Sequence, residues 1–154
     1  MKTKKKILAF VIFAVTALSV LVSCGKGGST PPANAGDTFT VVVAGEVIAE
    51  YTVALDKISG DNGFISVLDY LEEIDVLDYE LDGTMLTKVG ELENDAASGE
   101  WIYLDTTVES DIDVSQYAMT VEYEGLSMTS TGVGAQEMTL EKDAVIYVGL
   151  IVYE

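Results

Sequence analysis

In 154 residues there is no histidine and no arginine, one cysteine, and eight lysines against 26 acidic side chains, for a formal net charge of −18. Without imidazole or a second thiol, Ser-His-Asp and Cys-His nucleophile arrangements have no members, and so negative a surface repels the phosphates of nucleic acids. Composition thus speaks against nucleic-acid binding and against an enzyme; carboxylate pairs, the one catalytic inventory left, are so numerous that closeness of two would mean nothing.

The first 23 residues read as a leader rather than as part of the fold. Lys2, Lys4, Lys5 and Lys6 precede an unbroken apolar and small run from Ile7 to Val22. That is a basic region followed by an apolar stretch short for a spanning helix, so a signal peptide is preferred to an uncleaved anchor. The run ends Leu21-Val22-Ser23-Cys24, which resembles a bacterial lipobox. The resemblance implies diacylglycerol on the Cys24 sulfur, cleavage before it, and acyl chains such as palmitate holding the protein on the extracytoplasmic face of the cell membrane, a Gram-positive-type surface by analogy. Two or more chains at about 0.8 kcal/mol per buried methylene make such an anchor stable. Lipidation also accounts for the lone cysteine. Loss of the leader leaves four lysines against all 26 acids, so the mature charge is −22, four below that of the whole chain.

Gly25 to Asp37, GKGGSTPPANAGD, has no hydrophobic periodicity, and residues 24–37 are read as a flexible Gly/Ser/Pro tether. Residues 38–154 suffice for one domain with a core, not for two. Thr38 to Ala44 and Val47 to Leu55 flank Gly45-Glu46 as a strand hairpin. A helix is predicted from Phe64 to about Ile74: Phe64, Val67, Leu68, Leu71 and Ile74 share one stripe, Asp69, Glu72 and Glu73 face out, and Asp61 or Asn62 stands ready to cap.

Strands are predicted next at 77–81, 84–90 and 100–105. Asp78-x-Glu80-x-Asp82-Gly83 opens like a calcium loop, but its ninth and twelfth positions are Leu86 and Val89, so the bidentate carboxylate is missing. Alternation of Leu77, Tyr79 and Leu81 with the acids fits a strand with one wet face better, and no metal set is assigned there or at the weaker Asp111-x-Asp113. Ser98-Gly-Glu-Trp-Ile-Tyr-Leu-Asp105 holds the sole tryptophan. Trp101 and Tyr103 fall on one face of this strand and Ile102 and Leu104 on the other, so it is interior or covered, and Trp101 is either a core plug or a ligand-stacking platform. Strands at 117–124 and 126–131 surround Glu124-Gly125, with Met119, Val121 and Tyr123 on the buried side. The last run, 144–153, is apolar on both faces and therefore central. Two strands, one helix and further strands predict an α+β fold, a β-grasp-like mixed sheet packed on one helix.

In order, the Val-rich first strand, ISVLDYLEEI, DGTMLTKVGEL, GEWIYL and STGVGAQEMTLEKDAVIYV are similar to the transcobalamin-like C-terminal domain found in bacterial surface lipoproteins. The resemblance covers most of 38–154 and implies a ligand-binding module without chemistry or cofactor, its ligand cobalamin or a related corrinoid and its partner a transporter or other envelope protein. The similar domain of transcobalamin and intrinsic factor covers one face of cobalamin; here Trp101, Tyr103, Tyr117, Tyr123 and Met128 would supply the apolar wall, and no histidine is present to ligate cobalt. Two departures stand out. The Trp-x-Tyr strand runs into an insertion over 106–116 beside the family's binding edge, where it forms, caps or blocks a site, and the Gly-Asp of the last turn is Lys142-Asp143. The alternative is an envelope interaction or adhesion module with a flat edge or apolar patch and no small-molecule ligand.

Overall fold

A computed structural model describes residues 36–152; the expected leader, Cys24 and most of the expected tether lie outside the described residues. The first hairpin is β1 (Thr38–Ala44) and β2 (Ile48–Ala54), followed by α1 (Gly63–Glu73) and a small meander of β3 (Tyr79–Asp82), β4 (Met85–Val89) and β5 (Leu92–Glu93). β6 (Glu100–Thr106), β7 (Thr120–Tyr123), β8 (Leu126–Ser130) and β9 (Val145–Val152) follow. Six strands form one sheet in the order β2-β1-β9-β6-β8-β7, in which β1 and β9 are parallel and the other neighbours antiparallel. A last strand lying parallel to the first at the sheet's centre, with a helix crossing one face, is the β-grasp arrangement the sequence predicts. β9 is apolar on both faces because both are covered.

The helix-side core joins Phe39, Val41 and Val43 of β1 and Ile146 and Val148 of β9 to Phe64, Val67, Leu68 and Leu71 of α1, all buried. Each such side chain contributes about 1.5–3 kcal/mol by leaving water. The predicted stripe holds except at Ile74, which is 46% exposed. Ile74 caps the C-terminus of α1. Asp75 then adopts a left-handed φ of 58°, its N–H donating to the Glu72 carbonyl and the Val76 N–H to that of Leu71, a Schellman turn. The reversal sends Leu77 into the core in place of Ile74. At the other end Asn62 sits at the cap position without a side-chain capping bond; instead its own N–H donates to Ser66 Oγ at 3.1 Å.

The other face of the sheet has its own roof. β8 pairs with β6 solely at Asp105 and Thr106, then leaves the ladder and carries the β7–β8 hairpin across the sheet. Met128 and Val121 of the hairpin pack with Val42 of β1 and Val145 and Tyr147 of β9, and the Tyr123 hydroxyl donates to Glu50 of β2. The hairpin closes through Glu124 and Gly125, with φ of 49° and 82°, the type I′ geometry that suits strand twist. The insertion after β6 is tied down on several sides: the Asp113 N–H donates to the Ser130 carbonyl of β8 at 2.7 Å, Val108 enters the helix-side core, and buried Asp111 accepts bonds from the Thr139 N–H and hydroxyl. Residues 117–119, predicted as strand, lie outside β7; Met119 still bonds to β8 through the Ser130 N–H and hydroxyl.

Candidate functional site

Departure of β8 from the sheet leaves part of the β6 edge without a strand neighbour. In an antiparallel strand, N–H and C=O of alternate residues point to the same side. On the outer side of β6, Glu100 exchanges two backbone bonds with Asp95, the Ile102 N–H donates to Asn94 Oδ1 at 2.6 Å, and the Leu104 carbonyl accepts from the Thr131 N–H at 2.9 Å. By the same alternation the Ile102 carbonyl and the Leu104 N–H point to this outer side, where neither takes part in a hydrogen bond found among the described residues. They open into a cleft of about 430 Å³ lined by Met85 and Leu86 of β4, Tyr103 of β6, and Asp113, Tyr117 and Met119 around the insertion. One acceptor and one donor on a wall flanked by methionines and tyrosines have the complementary groups of an amide. Flanking positions are already taken by Asp95, Asn94 and Thr131, so the gap is too short for an added strand of ordinary length.

Tyr103 separates this cleft from a second cavity, of about 290 Å³, under the start of β7. Its walls are Tyr103, Met119, Thr120, Val121 and the end of β9, and Asp105 also lines it. The ring of Tyr103 lies across Gly149, its cross-strand partner; a Cβ at Gly149 would stand 2.8 Å from that ring, so glycine is what lets the tyrosine lie flat. Asp105 is fully buried and neither carboxylate oxygen has a hydrogen-bond partner. Desolvation pushes its carboxyl up to about 6. Burial, and then the charge of Asp105, raise the Tyr103 phenol to about 12. The rings of Tyr103 and Tyr147 stand 6.4 Å apart and those of Tyr123 and Tyr147 6.2 Å.

The five predicted wall residues thus fall in different places. Tyr103 and Tyr117 meet at the first cleft, where Tyr117 is 78% exposed. Met128 is sealed in the core beneath the hairpin and presents no surface to a ligand. Tyr123 is half-buried and engaged with Glu50. Trp101 is half-buried beside Ile151 and belongs to neither core cluster. Asp78 is taken up by Lys88 at 2.6 Å, and Tyr79 to Asp82 form a strand. Sequence reasoning placed Met119 on a buried face but not at a site, and passed over Met85 and the backbone pair, which sequence does not mark, and Asp105, which alternation with Trp101 and Tyr103 does place on the aromatic face.

No family model and no curated protein matches the chain. Among solved structures it is similar to a protein from Ruminococcus gnavus described as a "putative metal binding protein", with 14% identity and a TM-score of 0.48 over 77% of this chain and 99% of the other.

Proposed function

We propose that this protein is a lipid-anchored extracytoplasmic binding module, held by Cys24, with a transcobalamin-like domain whose cleft on the β6 edge takes a corrinoid. The observation that carries the reading is the pair of Ile102 C=O and Leu104 N–H, turned outward by the alternation along β6, in a cleft that Met85 and Met119 also line. Corrinoids present peripheral carboxamides around an apolar ring system, and an amide supplies both the donor and the acceptor that this edge lacks. The half-open shape argues for a modest affinity unless a transporter or another envelope protein closes over the ligand. Residues 36–152 enclose their own core within one compact unit, so the domain can be tested without the leader.

Calorimetric titration of residues 33–154 with cobinamide and cobalamin tests the proposal. Dissociation constants of about 1–100 µM are expected, and Tyr117→Ala should weaken binding by about fivefold, or 1 kcal/mol. No heat at about 200 µM ligand would sink the corrinoid assignment. Quenching of Trp101 alone would not establish it, because corrinoids absorb strongly. One observation favours the envelope-interaction alternative: β2 ends the sheet with an unpaired edge, and Val47 and Ile48 beside it are 77% and 50% exposed, the setting for strand addition by a partner. Silence toward corrinoids together with capture of an extended peptide would favour it.

A further inference from the structure

Asp105 is a carboxylate placed where a fold has no use for one. It stands in the middle of an aromatic and aliphatic face, opposite Tyr147 in the β6–β9 ladder, wholly buried and with both oxygens unpartnered. A buried acceptor left unsatisfied destabilises the fold, the more so when it is charged. Described lysines do not relieve it: Lys88 pairs with Asp78 and Lys142 with Asp37, while Lys57 lies exposed in the turn after β2. A metal ion is a poor occupant, because hard cations want six or more oxygens and no group of three His, Cys, Asp or Glu side chains gathers among the described residues. The cavity beside the carboxylate is mainly hydrocarbon and ring, with Met119, Val121 and Ile151 along it, Tyr103 at its wall and Thr120 adding a hydroxyl, and Tyr147 stands beside Tyr103.

We propose that the cavity between β6 and β7 binds a primary ammonium group carried on a short alkyl stem, with Asp105 as its counter-charge and Tyr103 as the ring against which it rests. An ammonium donates three hydrogen bonds, two of which the Asp105 oxygens accept, and its charge is further held by the face of an aromatic ring. The stem replaces water along Met119, Val121 and Ile151. A cavity of about 290 Å³ holds about ten groups the size of a water molecule. In the structure the carboxylate is enclosed, so entry goes with an outward movement of β7, which ends the sheet and has β8 as its single strand neighbour. The same chemistry is offered by a free alkylamine and by a lysine side chain of a peptide. This site stands apart from the corrinoid reading, and the outcome of that titration leaves it untouched.

The test is titration of residues 33–154 at about pH 7.5 with n-pentylammonium chloride and, separately, with Nα-acetyl-lysine amide, followed by methyl NMR of Met119, Val121 and Ile151. Saturable shifts at these methyls are expected, with none from 1-pentanol, which has the shape without the charge. Tighter binding of the amine assigns the site to free amines, tighter binding of the lysine derivative to peptides, and either supports the proposal. Asp105→Asn should weaken binding by at least about tenfold, whereas Glu122→Gln, an exposed acid on the same hairpin, should stay within about twofold. A second readout needs no variant: since burial raises the Asp105 carboxyl to about 6, binding at about pH 5 should be roughly tenfold weaker. The other titratable groups facing it are Tyr103 of β6, Tyr147 of β9, and Tyr123 of β7 with its partner Glu50 of β2; the phenols are all raised and keep their protons through this range. The proposal is overturned by absence of saturable shifts at about 20 mM amine, by Asp105→Asn binding as tightly as the parent, or by Glu122→Gln weakening as much as Asp105→Asn.

Discussion

One buried carboxyl group, Asp105, makes a distinct contribution to how stability varies with pH between about 4 and 6. Asp105 is raised to about 6 by desolvation, so between the ordinary aspartate value and that point the native state holds a proton that the unfolded chain has released. Stability therefore falls as pH rises from about 4 to about 6, and the full penalty is present above that range. Asp105→Asn, which keeps the shape and removes the charge, should flatten this slope and stabilise the protein by about 1–3 kcal/mol near neutrality. Thermal melts of both proteins across that pH range check it, and a variant less stable at neutral pH would show that the carboxylate has a structural partner. Tyr103 and Gly149 form a companion pair at the same scale, since the flat ring depends on the absence of a Cβ across the ladder.

At the scale of elements, α1 is closed by its C-terminal turn more firmly than by its N-terminal cap. Asp75 holds a φ of 58°, a conformation that costs an ordinary L-residue about 1 kcal/mol. It is tolerated because the turn satisfies the Leu71 and Glu72 carbonyls and delivers Leu77 to the core. Asp75→Gly should relieve that strain and stabilise the domain by about 0.5–1 kcal/mol, less the extra entropy glycine brings to the unfolded chain. Chemical denaturation measures it through a higher midpoint at unchanged slope. The β7–β8 hairpin is the contrasting element. It ends the sheet and touches β6 at two positions, and it is held across the second face by Met128, Val121 and the Tyr123–Glu50 bond. Amide exchange should be faster in β7 than in β9, which has a strand on each side.

For the whole molecule the dominant fact is charge. The two ion pairs found among the described residues, Lys88–Asp78 and Lys142–Asp37, lie at the surface, where water and salt screen them and they contribute little. Against them stands the mutual repulsion of an acidic surface with few lysines, which spans several kT and is screened by salt. Raising ionic strength from about 20 mM to about 300 mM should therefore raise the melting temperature by about 2–5 °C, by calorimetry. A fall would mean that the ion pairs outweigh the repulsion.

Local patterns in the sequence determined much of this fold. Period-two and three-four spacing of apolar residues placed the strands and α1, the glycine turns placed the hairpins, and an apolar run without alternation marked β9 as central; these depend on neighbours a few residues apart, which sequence displays directly. Ile74 was misplaced because a left-handed residue just beyond it turns the chain, and propensity does not foretell an aspartate there. The site was the part that tertiary structure alone decided. Tyr117 and Met85 come together, Met128 is sealed and Asp105 is buried because β8 leaves β6 after two pairs and folds its hairpin over the sheet. Whether a residue of β6 faces water, a ligand or a roof is set by that long-range departure, in which the cost of an unpaired strand edge is set against the burial of Val42, Met128 and Val145.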